Sequence, residues 1–219
     1  KKPEYEVFYS DLPSVRHHGW KFLRFAPNDE LIIPVGVPCN ICEENARFGR
    51  IFSLNTDTKE ITTLAKGVRN TVGFDFHPST QMLWFSDNGR DMMGDDIPPD
   101  ELNRVTKEEE HFGFPYVHGG VIVDPEFGEG KNIADYTQPA LALGAHVAPL
   151  GIHFYTGKQF PDSYKQQLFV AEHGSWNRSK KVGYKVAVAT IENAKVTKYK
   201  PLITGFMQDE TTFGRPVAF

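Results

Sequence analysis

The feature that most constrains this chain is a strand pattern that recurs three times at long intervals. Each copy has a strand, a turn and a second, apolar strand that runs into a glycine, with the apolar strands at 31–36, 83–89 and 168–174. A further strand follows, and each copy then closes with a Leu-x-x-Gly element that ends at Gly67, Gly144 or Gly205. Recurrence of this kind is typical of repeat architectures in which each copy is one structural unit.

Four strands and more than about 50 residues per unit are typical of β-propeller blades with long insertions. A β-sandwich is the alternative, but a sandwich has no reason to repeat the same four-strand order. The chain of 219 residues provides about three to four blades, whereas propellers close with about four to eight. We therefore predict a single all-β domain over residues 1–219 that is an incomplete part of a propeller.

The apolar residues come in short blocks between turns, and no segment keeps a helical period. Glycine and proline are frequent, with 19 and 15 residues, and aromatic residues make up 13% of the chain, which favours strands joined by turns. Residues 87–100 and 112–136 are rich in Gly, Pro and Asp and are predicted to be long loops. Twelve strands are predicted, at residues 4–9, 21–25, 31–35, 50–54, 60–64, 72–76, 82–86, 102–105, 150–155, 167–171, 183–191 and 195–203.

Charge and hydropathy exclude two classes of protein. The formal net charge is −4 and the 24 basic residues are scattered, so a nucleic-acid binder held by phosphate contacts is not expected. No window reaches the roughly 18 apolar residues that a membrane-spanning helix needs.

The chain begins with Lys1 and ends at Phe219 within a predicted strand, so we expect a processed chain or a piece of a longer one.

Two cysteines, Cys39 and Cys42, lie close together in the sequence PCNICE. Glu43 follows the second cysteine, where a c-type haem would need histidine, and a four-cysteine zinc site would need a second pair. A redox-active pair would stand where a strand leads into a helix, and no helix is predicted here. A small loop-closing disulfide and a pair of free thiols both stay open, and neither makes these cysteines the catalytic site.

Polar residues stand directly before the predicted first strand of each unit and at the end of the chain. In a propeller the first strands line the central channel, and the loops that lead into them meet at one mouth. The residues at these entries are His17, His18, Arg69, Asn70, His146 and Arg215. Convergent cations and a neutral imidazole suit an anionic ligand and a general base.

These residues also have structural interpretations. His18 can be a hydrogen-bonded core histidine, and Arg69 with Asn70 can cap a turn. The segment 172–178 holds Trp176 and Arg178, which could stack on or pair with a flat anionic ligand. Four acidic residues are interpreted as a solvated loop unless a cation lies near them: Asp95, Asp96, Asp100 and Glu101.

Seven motifs follow one another along nearly the whole chain. They are HGxxxLxFxP from residue 18, GVRNxxGF from 67, LWFSDNGR from 83, DELNR from 100, FGFPY from 112, APLG from 148 and GRPV from 214. With these motifs the chain resembles the glucose/sorbosone dehydrogenase family, in its sorbosone dehydrogenase-like branch. The resemblance implies a six-bladed β-propeller of four-stranded antiparallel blades that binds pyrroloquinoline quinone (PQQ) and Ca²⁺.

The resemblance also implies roles for particular residues. His18 matches the general base, which takes the proton from the sugar's anomeric hydroxyl. Arg69 would stabilise the negative charge that grows on the quinone oxygen during reduction. Asn70 and Asn88 match residues that contact the cofactor, and Arg215 matches an arginine that binds a carboxylate.

Four further positions complete the implied site. The backbone carbonyls of Gly89 and Arg90 match the calcium ligands, because a hard cation prefers oxygen donors. His146 stands where a small hydroxyl residue is usual, and Arg178 is the candidate for a lysine that many relatives use. We assign both to the cofactor site.

The function that the resemblance implies is a PQQ-dependent enzyme that oxidises an aldose-type sugar or sugar aldehyde at C1. Its reduced cofactor would pass electrons to an external acceptor, a cytochrome or a quinone, and the remainder of the propeller would be a further partner. A periplasmic or secreted location follows from the family and the cysteine pair. The alternatives are a cofactor-free propeller that binds proteins or carbohydrates, and a metal-dependent lactonase, which needs carboxylate ligands at the channel mouth.

Overall fold

The computed structural model describes residues 3–43 and 45–219, in which three antiparallel sheets follow one another along the chain. In each sheet four strands pair in chain order, so the first and fourth strands are the two edges of sheets II and III, while in sheet I a further strand pairs with the fourth. Sheet I contains β1 (Arg24–Phe25), β2 (Leu31–Val35), β3 (Arg50–Leu54) and β4 (Ile61–Lys66).

Sheet II carries an insertion between its third and fourth strands. The sheet begins with β5 (Phe74–Phe76), β6 (Leu83–Asp87) and β7 (Pro99–Arg104). The insertion holds β8 (Glu110–His111), which pairs in parallel with β4, and a hairpin of β9 (Val117–His118) and β10 (Ile122–Val123). A 3₁₀ turn at Ile133–Asp135 leads to β11 (Leu141–Ala145), the fourth strand of sheet II.

Sheet III has the longest strands of the three sheets. It contains β12 (Pro149–Phe154), β13 (Leu168–Glu172), β14 (Lys185–Glu192) and β15 (Lys195–Ile203), with a 3₁₀ turn at Asp162–Tyr164. A small hairpin of β16 (Met207–Gln208) and β17 (Thr211–Thr212) follows. The all-β class and the four-strand unit predicted from the repeat are confirmed, and Gly67, Gly144 and Gly205 lie in or just after the fourth strands.

Most middle strands are largely apolar because the sheets pack against each other face to face, whereas β7 is buried but mostly polar. All five residues of both β6 and β13 are buried. One core between sheets I and II includes Ile32, Phe74 and Phe85, and a second core between sheets II and III includes Trp84 and Phe154. Full burial of each large apolar side chain stabilises the fold by about 1.5–3 kcal/mol.

The fourth strand of sheet III has a different pattern. Most residues of β15 are exposed, and its lysines at 195, 198 and 200 point to a solvated outer side. Charged side chains on an edge strand oppose pairing with further strands. Sheet III therefore has an apolar inner part and a charged outer edge.

The first strands of all three sheets meet at one carboxylate, that of Asp75 in β5. Asp75 is 2% exposed and accepts hydrogen bonds from the N–H groups of Phe76 and, at 2.8 Å, of Phe154 in β12. Its Oδ2 atom lies 3.0 Å from Nδ1 of His153, and its Oδ1 atom pairs with the guanidinium of Arg24 in β1. One buried side chain thus connects β1, β5 and β12.

These contacts keep Asp75 ionised. Burial alone would raise the pKa of Asp75, but the hydrogen bonds from His153 and from two backbone N–H groups outweigh it. Together with the charge of Arg24, they lower the pKa below its ordinary value. The carboxylate therefore stabilises the folded state at neutral pH.

The structure corrects several sequence predictions. Residues 4–9 form no strand: they are mostly exposed, and no described strand pairs with them. Alternating apolar residues predict a strand, but a strand also needs a neighbour with which to pair. The predicted loops at 87–100 and 112–136 contain the start of β7 and the β9–β10 hairpin, and β11 was not among the predicted strands. By contrast, β2, β3 and β15 have the predicted bounds.

The role of Asp75 can be tested by Asp75→Asn, which removes the charge with little change in shape. We expect the free energy of unfolding at pH 7 to fall by about 2–3 kcal/mol, because Arg24 and His153 lose a buried ionised partner. The folded-state pKa is lowered, so the contribution is present above the unfolded pKa of about 3.9 and is lost as pH falls through the folded pKa. Urea unfolding at several pH values measures this loss. The matched control Asp57→Asn lies in an exposed turn, and equal losses in the two variants would contradict the assignment.

Candidate functional site

His18 lies just before β1 and is held in one orientation. Its backbone has a positive φ of 47°, and its Nδ1 atom lies 2.8 Å from the carbonyl oxygen of Val37. A carbonyl can only accept a hydrogen bond, so Nδ1 carries the proton and Nε2 keeps a free lone pair. Burial, followed by the charges of Arg69 and His17, lowers the pKa of His18 to about 3. His18 is therefore neutral at physiological pH.

Gly36 makes room for His18 at the end of β2. A Cβ atom at position 36 would lie 2.7 Å from Cβ of His18 and 3.3 Å from Oδ1 of Asn70. Contacts of 2.7 Å are not tolerated between carbon atoms, so only glycine allows this approach. The glycine that ends the first apolar strand of the repeat thus brings together residues from the entries of sheets I and II.

Arg69 and Asn70 lie between β4 and β5, and the buried carboxylate of Asp87 fixes their backbone. Asp87 accepts the N–H groups of Arg69 at 2.8 Å and Asn70 at 2.6 Å. Burial raises the pKa of Asp87 to about 6, although these hydrogen bonds and the charge of Arg69 oppose the rise. Val37 adds a further constraint, because its N–H group donates to the carbonyl oxygen of Arg69 at 3.0 Å.

The guanidinium of Arg69 is buried and makes four hydrogen bonds within the protein. Nε donates to the carbonyl oxygen of Asn40 at 2.8 Å, and Nη1 donates to the carbonyl oxygen of Asn88 at 3.1 Å. Nη2 donates to Oδ1 of Asn40 at 2.9 Å and to Asp91 at 3.1 Å. Burial lowers the pKa of Arg69, and the neighbouring carboxylates, Asp91 foremost, oppose this effect. The group is a fixed positive charge beside His18.

Asn88 and Gly89 connect this part of the site to sheet III. The side-chain amide of Asn88 donates to the carbonyl oxygens of Pro149 at 2.9 Å and Asn70 at 3.3 Å. The carboxylate of Asp100 accepts the N–H groups of Gly89 at 2.8 Å and Ala148 at 2.7 Å. The backbone on both sides of the boundary between sheets II and III is therefore held by side chains of sheet II.

Arg90 is anchored by its own side chain. Nη1 donates to Asp124 at 2.6 Å and Nη2 to Glu126 at 2.8 Å, and Arg90 is 5% exposed. Asp124 also lies 2.8 Å from Nε2 of His118. The backbone of residues 89 and 90 is thus fixed from two directions, by Asp100 and by the Arg90 pairs.

His146 and Arg178 both hold the loop of residues 91–96. Nε2 of His146 lies 2.8 Å from the carbonyl oxygen of Gly94. The guanidinium of Arg178 donates to the carbonyl oxygen of Asp95 and, at 3.0 Å, to the carboxylate of Asp96. The structure therefore places these two side chains against the loop of residues 91–96.

Arg215 binds the backbone just after β13, the second strand of sheet III. Its guanidinium donates to the carbonyl oxygens of His173 at 3.1 Å and Gly174 at 2.5 Å, and it lies 5.4 Å from the ring of Tyr184. His173 N–H in turn donates to the carbonyl oxygen of Ala148 at 2.9 Å. Hydrogen bonds and adjacent residues thus link His18 through Val37, Arg69 and Asn70 to Asn88 and the start of sheet III.

Two acidic residues require a correction. The sequence predicts that Asp100 and Glu101 belong to a solvated loop, but they are 3% and 7% exposed. Burial raises the pKa of Asp100 to about 7 and that of Glu101 to about 8, where the charge of Asp87 adds to the rise. Both lie in β7, which begins before its predicted start, and both accept backbone N–H groups.

A cation at this site would depend on backbone and amide oxygens. Among residues 3–43 and 45–219, no group of three or more His, Cys, Asp or Glu side chains has the arrangement of a metal site. The carbonyls of Gly89 and Arg90 belong to a rigid segment of the kind that a calcium site with carbonyl ligands requires.

No described helix is long and apolar enough to cross a bilayer.

The cysteines form a disulfide, which decides between the two open interpretations. Cys39 and Cys42 are bonded, with their Cα atoms 6.2 Å apart. The loop that they close lies after β2 and contains Asn40, the main partner of the Arg69 guanidinium. Sequence analysis did not identify Asn40, because nothing in a single asparagine within a cysteine loop indicates a distant arginine.

The sequence profile described as Glucose / Sorbosone dehydrogenase matches residues 16–198. The chain belongs to the glucose/sorbosone dehydrogenase family. This match covers His18, Arg69, Asn70 and Asn88, and it confirms the family that the motifs indicated. Arg215 lies outside the matched residues.

One relative and two solved structures are similar to the chain along most of its length. The chain is 44% identical over 205 residues to an uncharacterised protein of Borreliella burgdorferi. This match covers 91% of the chain and 54% of that relative. The holo form of the PQQ domain of Coprinopsis cinerea pyranose dehydrogenase has a TM-score of 0.76, with 19% identity over 94% of this chain and 65% of that one. The calcium structure of a Trichoderma reesei carbohydrate-active enzyme of family AA12 also has a TM-score of 0.76, with 20% identity over 90% and 62%. The chain thus spans between about half and two thirds of the length of these relatives.

The tight approach at Gly36 can be tested by Gly36→Ala. The added Cβ atom would meet Cβ of His18 at 2.7 Å, so we expect the imidazole to move towards solvent and its pKa to rise towards the ordinary value of about 6.5. Histidine NMR titration measures the change, and wild-type His18 should not titrate between about pH 5 and 8. The control Gly144→Ala would meet only a Val147 methyl group at 3.3 Å. A His18 titration curve unchanged by Gly36→Ala would refute this geometry.

Proposed function

We propose that this chain is part of a quinoprotein dehydrogenase that uses PQQ and Ca²⁺ to oxidise an aldose-type sugar or sugar aldehyde at C1, giving a lactone or acid. The observation that carries the proposal is the neutral imidazole of His18, with its Nε2 lone pair free, beside the fixed charge of Arg69. Family membership and the fold shared with a pyranose dehydrogenase PQQ domain support it.

The donor set of the site fits a carboxylated quinone. Arg69 and Arg215 supply guanidinium groups, which bind carboxylates and stabilise developing negative charge. Asn70 and Asn88 supply amides, and Gly36 keeps open the space between His18 and Asn70. Gly89 and Arg90 would supply the carbonyl oxygens that Ca²⁺ prefers.

His18 would act as the general base at its Nε2 atom. When bound, PQQ would accept the hydride from the sugar C1 and Ca²⁺ would polarise the quinone. The Nδ1–H bond to Val37 selects the tautomer in which Nε2 can take the sugar hydroxyl proton. Arg69 disfavours the protonated imidazole, so the base stays unprotonated before the sugar binds.

We propose further that the complete protein is a six-bladed propeller in which sheets I, II and III are three blades. The chain covers 54–65% of the relatives described above, which leaves length for the other blades. Apolar side chains that a neighbouring blade would cover are exposed near the first strands, including Trp20 at 86% and Phe219 at 55%. His146 and Arg178 would then act by shaping the 91–96 loop at the channel mouth.

The reduced cofactor would pass its electrons to an external cytochrome or quinone. A periplasmic or secreted location is proposed with this function, because disulfides such as Cys39–Cys42 persist in oxidising compartments.

One observation favours the second candidate, a cofactor-free binding module. The Arg69 guanidinium already donates four hydrogen bonds within the protein, as a purely structural arginine would.

His18→Ala in the full-length protein separates these candidates. With PQQ, Ca²⁺, a panel of aldoses and a dye acceptor, we expect kcat to fall by about 10²–10⁴-fold, because no other positioned group takes the proton. PQQ uptake, followed by absorbance, should persist. His17→Ala is the matched control, since the neighbouring imidazole is exposed. Wild-type protein that takes up no PQQ would support the binding module.

The low pKa of His18 also predicts the pH dependence of turnover. The base is active when neutral, so protonation of His18 should reduce kcat/KM only as pH approaches about 3. Between pH 8 and 5, no loss with the ordinary histidine midpoint of about 6.5 is expected. A rate profile in stable mixed buffers measures this, and an acidic limb near pH 6.5 that disappears in a His18 variant would be the contrary result.

A further inference from the structure

The loop closed by the Cys39–Cys42 disulfide has no role assigned in the function proposed above. It nevertheless contacts the buried guanidinium of Arg69. The loop follows Gly36 and Val37, and both of these residues touch the site: Gly36 by its approach to His18 and Val37 by its bonds to His18 and Arg69. Only two residues, Asn40 and Ile41, lie between the cysteines.

Asn40 makes hydrogen bonds with both its backbone and its side chain. Its carbonyl oxygen accepts Nε of Arg69 at 2.8 Å, and its Oδ1 atom accepts Nη2 of Arg69 at 2.9 Å. Oδ1 also accepts the N–H group of Asp91 at 2.8 Å, and Nδ2 donates to the carbonyl oxygen of Asp91 at 3.0 Å. The amide is therefore fixed on both its oxygen and its nitrogen side.

This arrangement determines the plane of the Arg69 guanidinium. Two of its five N–H groups go to Asn40, a third to Asp91 and a fourth to the carbonyl oxygen of Asn88. One N–H group, on Nη1, is left for another acceptor. A rigid guanidinium that presents one chosen donor loses little entropy when it binds a ligand.

The disulfide restricts the loop that carries Asn40. A cross-link between residues three positions apart limits the conformations of the two residues inside it. The carbonyl and the side chain of Asn40 must both face Arg69 at once, which a flexible loop would achieve only part of the time. The ring thus maintains the two-point contact.

We propose that Asn40, held within the Cys39–Cys42 ring, is a positioning residue for Arg69. It sets the guanidinium plane so that the remaining Nη1–H group and the positive charge face the cofactor site. This inference rests on the function proposed above, because the advantage of a fixed Arg69 is the recognition of the anionic quinone. Asn40 itself is not assigned a contact with cofactor or sugar.

The test is a double-mutant cycle on PQQ affinity in the full-length protein with Ca²⁺. Asn40→Ala should raise the PQQ Kd about tenfold, as loss of a supporting contact commonly does. In an Arg69→Ala background the same change should have no further effect, because Asn40 acts through Arg69. Asn45→Ala is the matched control: it lies just beyond the ring, where its side chain caps its own turn, and it should stay within about twofold of wild type.

A second readout follows the guanidinium without the cofactor. The Arg69 Nε–H resonance, assigned by its loss in Arg69→Lys, should be sharp in wild type and Asn45→Ala and broadened or shifted in Asn40→Ala. Cys39→Ser/Cys42→Ser should change the resonance in the same direction. Should Asn40→Ala not fold, Asn40→Ser provides the same comparison.

The outcomes separate the two proposals. Wild-type protein that binds no PQQ refutes the proposed function, and the Nε–H resonance then decides alone whether Asn40 positions Arg69. Equal effects of Asn40→Ala with and without Arg69, or a resonance unchanged by Asn40→Ala, would overturn the positioning role. A double serine variant with wild-type Kd and resonance would overturn the part assigned to the ring.

Discussion

The constraint on which the rest of the structure depends is the buried ionised carboxylate of Asp75. It contacts the first strands of all three sheets, through Arg24, its own β5 and the pair Phe154 and His153. Apolar packing brings the sheets face to face but has no direction, so it leaves their rotation about each other undefined. Hydrogen bonds from three strands to one group supply that direction, and the loops that carry His18 and Arg69 lead into two of these strands, β1 and β5.

Buried carboxylates that accept backbone N–H groups also hold the loops of the site. Asp87 accepts two consecutive N–H groups before β5, and Asp100 accepts N–H groups from both sides of the boundary between sheets II and III. These carboxylates carry a desolvation cost, which appears as raised pKa values of about 6 and 7. Fixed backbone amides offset part of that cost, and what the molecule gains is a set of loops whose positions do not depend on exposed contacts.

The sequence allowed the strand order and the entry residues to be predicted, because both follow local rules. Strands β2 and β3 are apolar blocks bounded by turn residues, and the repeat shows which position each occupies. Burial of Asp100 and Glu101 was not predictable in this way, since it depends on backbone N–H groups at 89, 148 and 119. The role of Asn40 likewise depends on residues 29 and 51 positions away. Local pattern therefore identifies strands and candidate cations, whereas partners distant in sequence emerge only from the packed sheets.

The lysine-bearing outer strand β15 has a consequence for how such a molecule can vary. Its exposed charges discourage addition of a strand at the periphery, whereas the apolar residues near the first strands remain open to contact. If the three sheets are blades of the propeller proposed above, further sheets would be added beside their first strands and not at the outer edge. Changes in length are expected to accumulate in the connections between strands, as the insertion between β7 and β11 illustrates, while the four-stranded sheets stay constant.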